Sequence, residues 1–119
     1  MQLTRLFATA AVLFLLQGCH SAFIEATLIN RTPAALSVIQ VDYPSASFGT
    51  QTLAAGAVFH YRFKVLGNGA THLTYTDAAH AEQHSTGPAL QEGDEGSLTV
   101  AIASDGVDWQ PHLHNSSKH

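Results

Sequence analysis

Large apolar and polar residues alternate with a period of two along much of the chain. In Ala57–Val65, Phe59, Tyr61, Phe63 and Val65 are interleaved with His60, Arg62 and Lys64. That pattern predicts a strand with one face buried and the other wet. The same reading sets Ile39, Val41 and Tyr43 inward against Val38, Gln40 and Asp42. It places Leu73 and Tyr75 inward in Thr71–Thr76, and Leu98, Val100 and Ile102 inward in Leu98–Ala103. The β-rich run from Phe23 to Asn30 predicts the first strand. Breakers divide the runs: Asn30-Arg31-Thr32-Pro33, Tyr43-Pro44-Ser45, Ala54-Ala55-Gly56, Gly67-Asn68-Gly69, Gly87-Pro88, Gly93-Asp94-Glu95-Gly96 and Asp105-Gly106. Asp77–Gln83 reads as a loop, and no later segment carries a sustained helical stripe. The prediction is an all-β fold over residues 23–112. It is a small antiparallel β-sandwich, immunoglobulin-like or transthyretin-like, of about seven strands. Residues 113–119 are polar and aperiodic and are predicted to be a disordered tail. The lone Trp109 is expected to follow a strand and close the open end of the core.

The N-terminus has another pattern. Arg5 precedes Leu6–Leu16, eleven residues interrupted only by Thr9. A short basic segment followed by an apolar stretch of this length predicts an export signal. At about 1.5 Å per residue the stretch covers roughly half of a ~30 Å hydrocarbon core, too little for a spanning helix. Immediately after it stand Leu16-Gln17-Gly18-Cys19, and Cys19 is the single cysteine of the chain. These four residues resemble the lipobox of bacterial prolipoproteins, with Leu at −3, a small residue at −1 and Cys at +1. The resemblance implies a diacylglycerol on the Cys19 thiol, cleavage before Cys19, and residues 19–22 as a lipidated tether. Position 20 is His rather than the Asp that retains such proteins in the inner membrane. The resemblance therefore implies an outer-membrane location facing the periplasm. An unmodified lone thiol in an oxidising compartment would pair with other chains, and thioether lipidation removes that liability.

Composition narrows the function classes. Only 12% of the 119 residues are charged, and the formal net charge is −4. A nucleic-acid binder would need a basic footprint that this chain lacks. Loss of residues 1–18 would leave Arg31, Arg62, Lys64 and Lys118 against nine acids, a formal charge of −5. The expected partner is the membrane, through the lipid on Cys19; any protein or envelope partner is left unidentified.

Candidate chemistry is sparse. All eight histidines follow residue 18, and protonating every one would carry the formal charge from −5 to +3. His112-Leu113-His114 would present both rings on one face of a strand, a spacing used by metal sites. His80 and His84 flank a possible turn, so these four residues are the candidate Cu²⁺ or Zn²⁺ ligands. Glu92-Gly93-Asp94-Glu95-Gly96 lacks the twelve-residue ligand spacing of a Ca²⁺ loop and reads as a solvated turn. No G-x-S-x-G elbow, glycine-rich phosphate loop, H-E-x-x-H or C-x-x-C occurs. The expectation is a non-catalytic structural or binding module without a cofactor. A periplasmic metal-binding protein is the alternative.

Overall fold

The computed structural model describes residues 21–115. The predicted signal segment, Cys19 and the last four residues lie outside that range. Eight strands make up the fold: β1 (Ile24–Asn30), β2 (Leu36–Tyr43), β3 (Ala46–Leu53), β4 (Val58–Phe63), β5 (Gly69–Thr76), β6 (Glu82–Leu90), β7 (Asp94–Ala103) and β8 (Gly106–Asn115). They form two four-stranded sheets in the orders β4-β1-β7-β8 and β3-β2-β5-β6. The predicted all-β sandwich is the observed architecture, with eight strands rather than seven.

One pairing departs from the antiparallel expectation. β1 runs parallel to β7, with Ile24 opposite Gly96 and Asn30 opposite Ile102. Parallel neighbours require a long crossover, and here the chain crosses to the other sheet and back twice between them. In an immunoglobulin-type sandwich the first two strands share a sheet. Here they lie in different sheets, so the strand order is not the immunoglobulin one.

The inward alternation fills the space between the sheets. Ile24, Ala26 and Leu28 of β1 meet Leu98, Val100 and Ile102 of β7 on one layer; Ile39, Val41, Leu73 and Tyr75 come from the other. Each fully buried Leu, Ile or Val contributes about 1.5–3 kcal/mol, and with no internal disulfide this packing supplies most of the stability. The seam between edge strands β3 and β4 is aromatic. The rings of Phe48 and Tyr61 stack at 4.7 Å, and those of Tyr43 and Phe63 lie 4.3 Å apart. Tyr61, predicted inward, is 40% exposed because it lies at the rim of this seam. Burial, with the neighbouring Tyr61 hydroxyl, pushes the Tyr43 phenol above its ordinary value.

Two segments read as breakers or tail are strand. Gly87-Pro88 lies inside β6, where two residues oppose the single Thr71 of β5 and form a bulge. The Thr71 hydroxyl donates to the Pro88 carbonyl at 2.9 Å. A Cβ on residue 87 would meet the Trp109 ring at 2.4 Å, so glycine is required by the indole and not by a turn. Trp109 lies within β8, and its indole N–H donates to Ser85 Oγ of β6 at 2.9 Å. It closes the side seam between edges β8 and β6 rather than an end of the core. β8 also continues past Pro111 to Asn115, with Leu113 packed on the core. The two-residue turn Ser104-Asp105 makes Ala103 and Gly106 the first hydrogen-bonded pair. By alternation the Pro111 nitrogen then faces the free edge, where a missing N–H costs nothing to the ladder. The strand thus covers the first three residues of the predicted tail.

A bulge on β2 explains a break in its alternation. Leu36 and Ile39 are both buried although three positions apart, and the register with β5 shifts between Ser37 and Gln40. The extra residue is accommodated at Val38, whose φ is 48° and whose side chain is 56% exposed. A β-branched residue in the left-handed region is strained, on the order of 1–2 kcal/mol. Asn tolerates this conformation and forfeits little burial here. Val38→Asn is therefore expected to stabilise the domain by about 1 kcal/mol. Thermal unfolding should show a midpoint raised by ~4–8 °C; an unchanged or lowered midpoint would contradict the strain at Val38.

Candidate functional site

A cleft of about 630 Å³ lies at one end of the sandwich. Three loop segments build its walls: Thr32–Ala34 between β1 and β2, Asp77–Ala79 after β5, and the β7–β8 hairpin at Ala103–Val107. Tyr75 and Ser85 reach it from β5 and β6. This is the end at which β1 and β7 finish, opposite the end at which β1 begins.

Asn30 organises the first wall. It is fully buried, the inward residue at the end of β1. Its amide nitrogen donates to the carbonyls of Ala34 and Leu53, both at 2.9 Å. Its Oδ1 accepts from the Thr32 backbone N–H at 2.9 Å and the Thr32 hydroxyl at 2.7 Å. Its backbone donates to Ala57 and accepts from Gly56, tying in the β3–β4 loop as well.

Asp77 organises the second. Its Oδ1 accepts from the N–H groups of Ala79 and Ala81 at 2.9 and 3.0 Å, and its Oδ2 accepts from the Gln83 amide at 3.0 Å. The predicted loop is thus a carboxylate-bound turn over 77–81 that runs directly into β6, with His80 in the left-handed region at φ 63°. The Ala81 N–H, then the Gln83 amide and the Ala79 N–H, favour the charged form and hold the Asp77 carboxyl below its ordinary 3.8. A depressed folded value means the contribution to stability is present above pH 3.8 and is lost as pH falls through the folded value. In an NMR titration the Ala79 and Ala81 amide shifts should move together with a midpoint below 3.8. A midpoint at or above that value would show that these bonds do not hold the charge. Two residues before Asp77, burial and then the Asp77 charge push the Tyr75 phenol up, so it remains a neutral donor.

With both Asp77 oxygens occupied by the turn, the cleft offers hydrogen-bonding groups (Thr32, Tyr75, Ser85, Ser104 and Asp105) over an apolar floor that includes Leu36 and Val107. Ser85 already accepts from Trp109. A volume of this size suits a small ligand.

The four candidate ligands lie apart. His112 and His114 do share one face of β8, as predicted, on the outside of the first sheet. His114 Nε2 lies 3.2 Å from Glu95. His84 lies on the outside of the second sheet and also lines the cleft, and His80 sits in the 77–81 turn. Among the described residues, no group of three His, Cys, Asp or Glu side chains could hold a metal ion. His84 does stand between Thr74 and Glu82, but both contacts are 3.5 Å and the ring is largely exposed. An activated hydroxyl nucleophile wants about 2.6–3.2 Å and a sheltered base.

The acidic cluster is more ordered than a solvated turn. Asp94 is buried at the start of β7, accepting from the Gln91 N–H at 2.9 Å and from the Asn115 amide at 2.8 Å. The residues that shape the cleft, Asn30 and Asp77, were not among the sequence candidates. Asn30 stands in the turn signal Asn30-Arg31-Thr32-Pro33 and Asp77 opens the predicted loop, so each was visible only as loop chemistry. Comparison with known proteins found no matching family model, no matching curated protein and no matching solved structure.

Proposed function

We propose that this is a small bacterial envelope lipoprotein, acylated at Cys19, whose sandwich is a non-catalytic module held at the membrane surface. In this reading the protein sits at the outer membrane, facing the periplasm. One observation supports a binding role over a purely space-filling one: the cleft opens at the end of the sandwich farthest from the start of β1. The seven residues of β1, at about 3.3 Å each, separate the two ends by roughly 20 Å. A chain anchored just before β1 would hold the cleft away from the lipid, open to a small polar ligand or an envelope partner. The metal-binding alternative finds no such support, since its four histidines lie on opposite outer faces and in a turn.

Mass spectrometry of the mature N-terminus tests the anchor. The expected result is a chain that begins at Cys19 and carries the added mass of a diacylglycerol. A mature chain with a free Cys19 thiol, or one cut elsewhere, would overturn the reading.

A further inference from the structure

Beyond Phe63 the period-two pattern of β4 runs on, and it breaks its own rule. His60, Arg62 and Lys64 are outward and polar while Phe63 and Val65 are buried. The next outward position is Leu66, which is 56% exposed. The other exposed large apolar side chains among the described residues have local accounts. Val38 occupies the bulge, Tyr61 stacks on Phe48, and Val58 begins an edge strand beside Ile29. Leu66 has none.

Its display is built rather than incidental. The Leu66 N–H donates to Ser45 Oγ at 3.2 Å, and the Gly67 N–H donates to Glu92 Oε1 at 3.2 Å. The Glu92 N–H in turn donates to Asn68 Oδ1 at 2.9 Å. The loop is therefore strapped to the β2–β3 turn and to the β6–β7 turn while holding the leucine outward. Gly67, at φ 88°, supplies the left-handed residue the loop needs next to it.

This loop lies at the end of the sandwich where β1 begins. Ile24 pairs with Phe63, so Phe23 enters beside Lys64, two residues from Leu66. Cys19 is four residues before Phe23, a reach of at most ~14 Å when fully extended. The polar layer of one leaflet is about 5–8 Å thick. A lipid on Cys19 therefore brings this end of the domain against the headgroups.

We propose that the Lys64–Asn68 loop docks on the phospholipid surface that holds Cys19, with Leu66 inserted among the headgroups and Lys64 at their level. This rests on the lipoprotein reading above. Docking at this end fixes the strands upright on the membrane and points the cleft outward, whereas a lipid tether alone would leave the domain free to tumble.

The full-length protein, purified from membranes, tests it. Leu66→Cys and Ala55→Cys each introduce one labelling site, the second in an exposed loop at the opposite end. Each variant receives an environment-sensitive fluorophore. It is then reconstituted into phosphatidylcholine–phosphatidylglycerol vesicles containing a lipid with a headgroup quencher. The expected result is loss of most emission from the probe at 66 and little loss at 55. Equal quenching at the two positions, with Cys19 shown by mass to be acylated, overturns the docking alone. A free Cys19 in the mass spectrum overturns the docking together with the anchor.

Discussion

Cys19→Ser, introduced behind an ordinary secretory signal in place of residues 1–18, is expected to transfer the protein from the membrane fraction to the soluble envelope fraction almost completely. On the lipoprotein reading proposed above, the reason is the size of the anchor compared with anything the domain itself offers. Each buried acyl CH₂ contributes about 0.8 kcal/mol, and two chains hold firmly where one holds marginally. By contrast, one inserted leucine contributes about 1.5–3 kcal/mol when fully buried, and Leu66 is already partly covered by protein. That is worth roughly ten- to a hundredfold in partition, which cannot retain a domain at a dilute membrane surface. The signal exchange matters. With its own signal, the serine variant would escape lipidation and hence the cleavage that follows it, leaving residues 1–18 attached. The unexchanged Cys19→Ser chain should accordingly accumulate as an unprocessed form, longer by eighteen residues on a denaturing gel. Retention of the signal-exchanged variant in washed membranes would show that the domain binds by some other surface.

Every strand with two hydrogen-bonded neighbours is legible in the sequence, and the strands that are not legible lie at the edges. β1, β2, β5 and β7 are interior to their sheets, and one face of each meets the core over most of its length; alternation reveals the last three, and β-rich composition the first. β3, β6 and β8 are edge strands and were passed over. β3 buries only Phe48 and Leu53, five positions apart, and β6 buries only Leu90. β8 carries a proline that reads as a terminator until its nitrogen is seen to face the free edge. The fourth edge, β4, was legible because its aromatic residues close the seam against Phe48. Edge strands form against a template already made by the interior ones, so their own sequence need encode less.

The cleft was illegible for a related reason. Its walls come from stretches separated by more than twenty residues, and nothing short of the topology brings them to one end. Conversely, histidine is the most visible chemical feature of the chain, yet of the four candidates only His84 lines the cleft. A strand pattern states which face a residue takes but not which sheet it joins, and His84 and His112 fall on opposite sides of the sandwich. Cys19 is read in another way, from its position along the chain after an apolar run, and it lies outside the described residues.

Asn30 should be the most sensitive polar position in the domain, and its two simplest replacements should separate by pH. Asn30→Ala removes the donor to the Leu53 carbonyl, whose hydrogen bond is buried, and also the Ala34 and Thr32 bonds. A buried carbonyl left without a partner costs about 1–3 kcal/mol, and the other lost bonds about 0.5–1.5 each. The expected loss is therefore about 3–4 kcal/mol, a large share of the ~5–15 available to a domain of this kind. The thermal midpoint should fall by roughly 15 °C or more. Asn30→Asp keeps the acceptor for Thr32 but aims a carboxylate oxygen at two carbonyls, in a site with no solvent access. At neutral pH it should destabilise at least as much as alanine. Burial and the facing carbonyls raise the introduced carboxyl in the folded state, so the folded protein binds that proton more tightly than the unfolded chain. The stability of this variant relative to the parent is then greatest at low pH, and it falls as pH rises from the ordinary aspartate range of about 3.9 through the raised value. Once protonated, the carboxyl can donate to one of the two carbonyls, and that bond is what acid restores. Chemical denaturation at pH 7 and pH 4, with parent and both variants side by side, reads the effect directly. Alanine should show the same deficit at both pH values, and aspartate a smaller one at pH 4. An aspartate variant equally impaired at both would mean that the amide's donors to Ala34 and Leu53 do not set the geometry of the loop that walls the cleft.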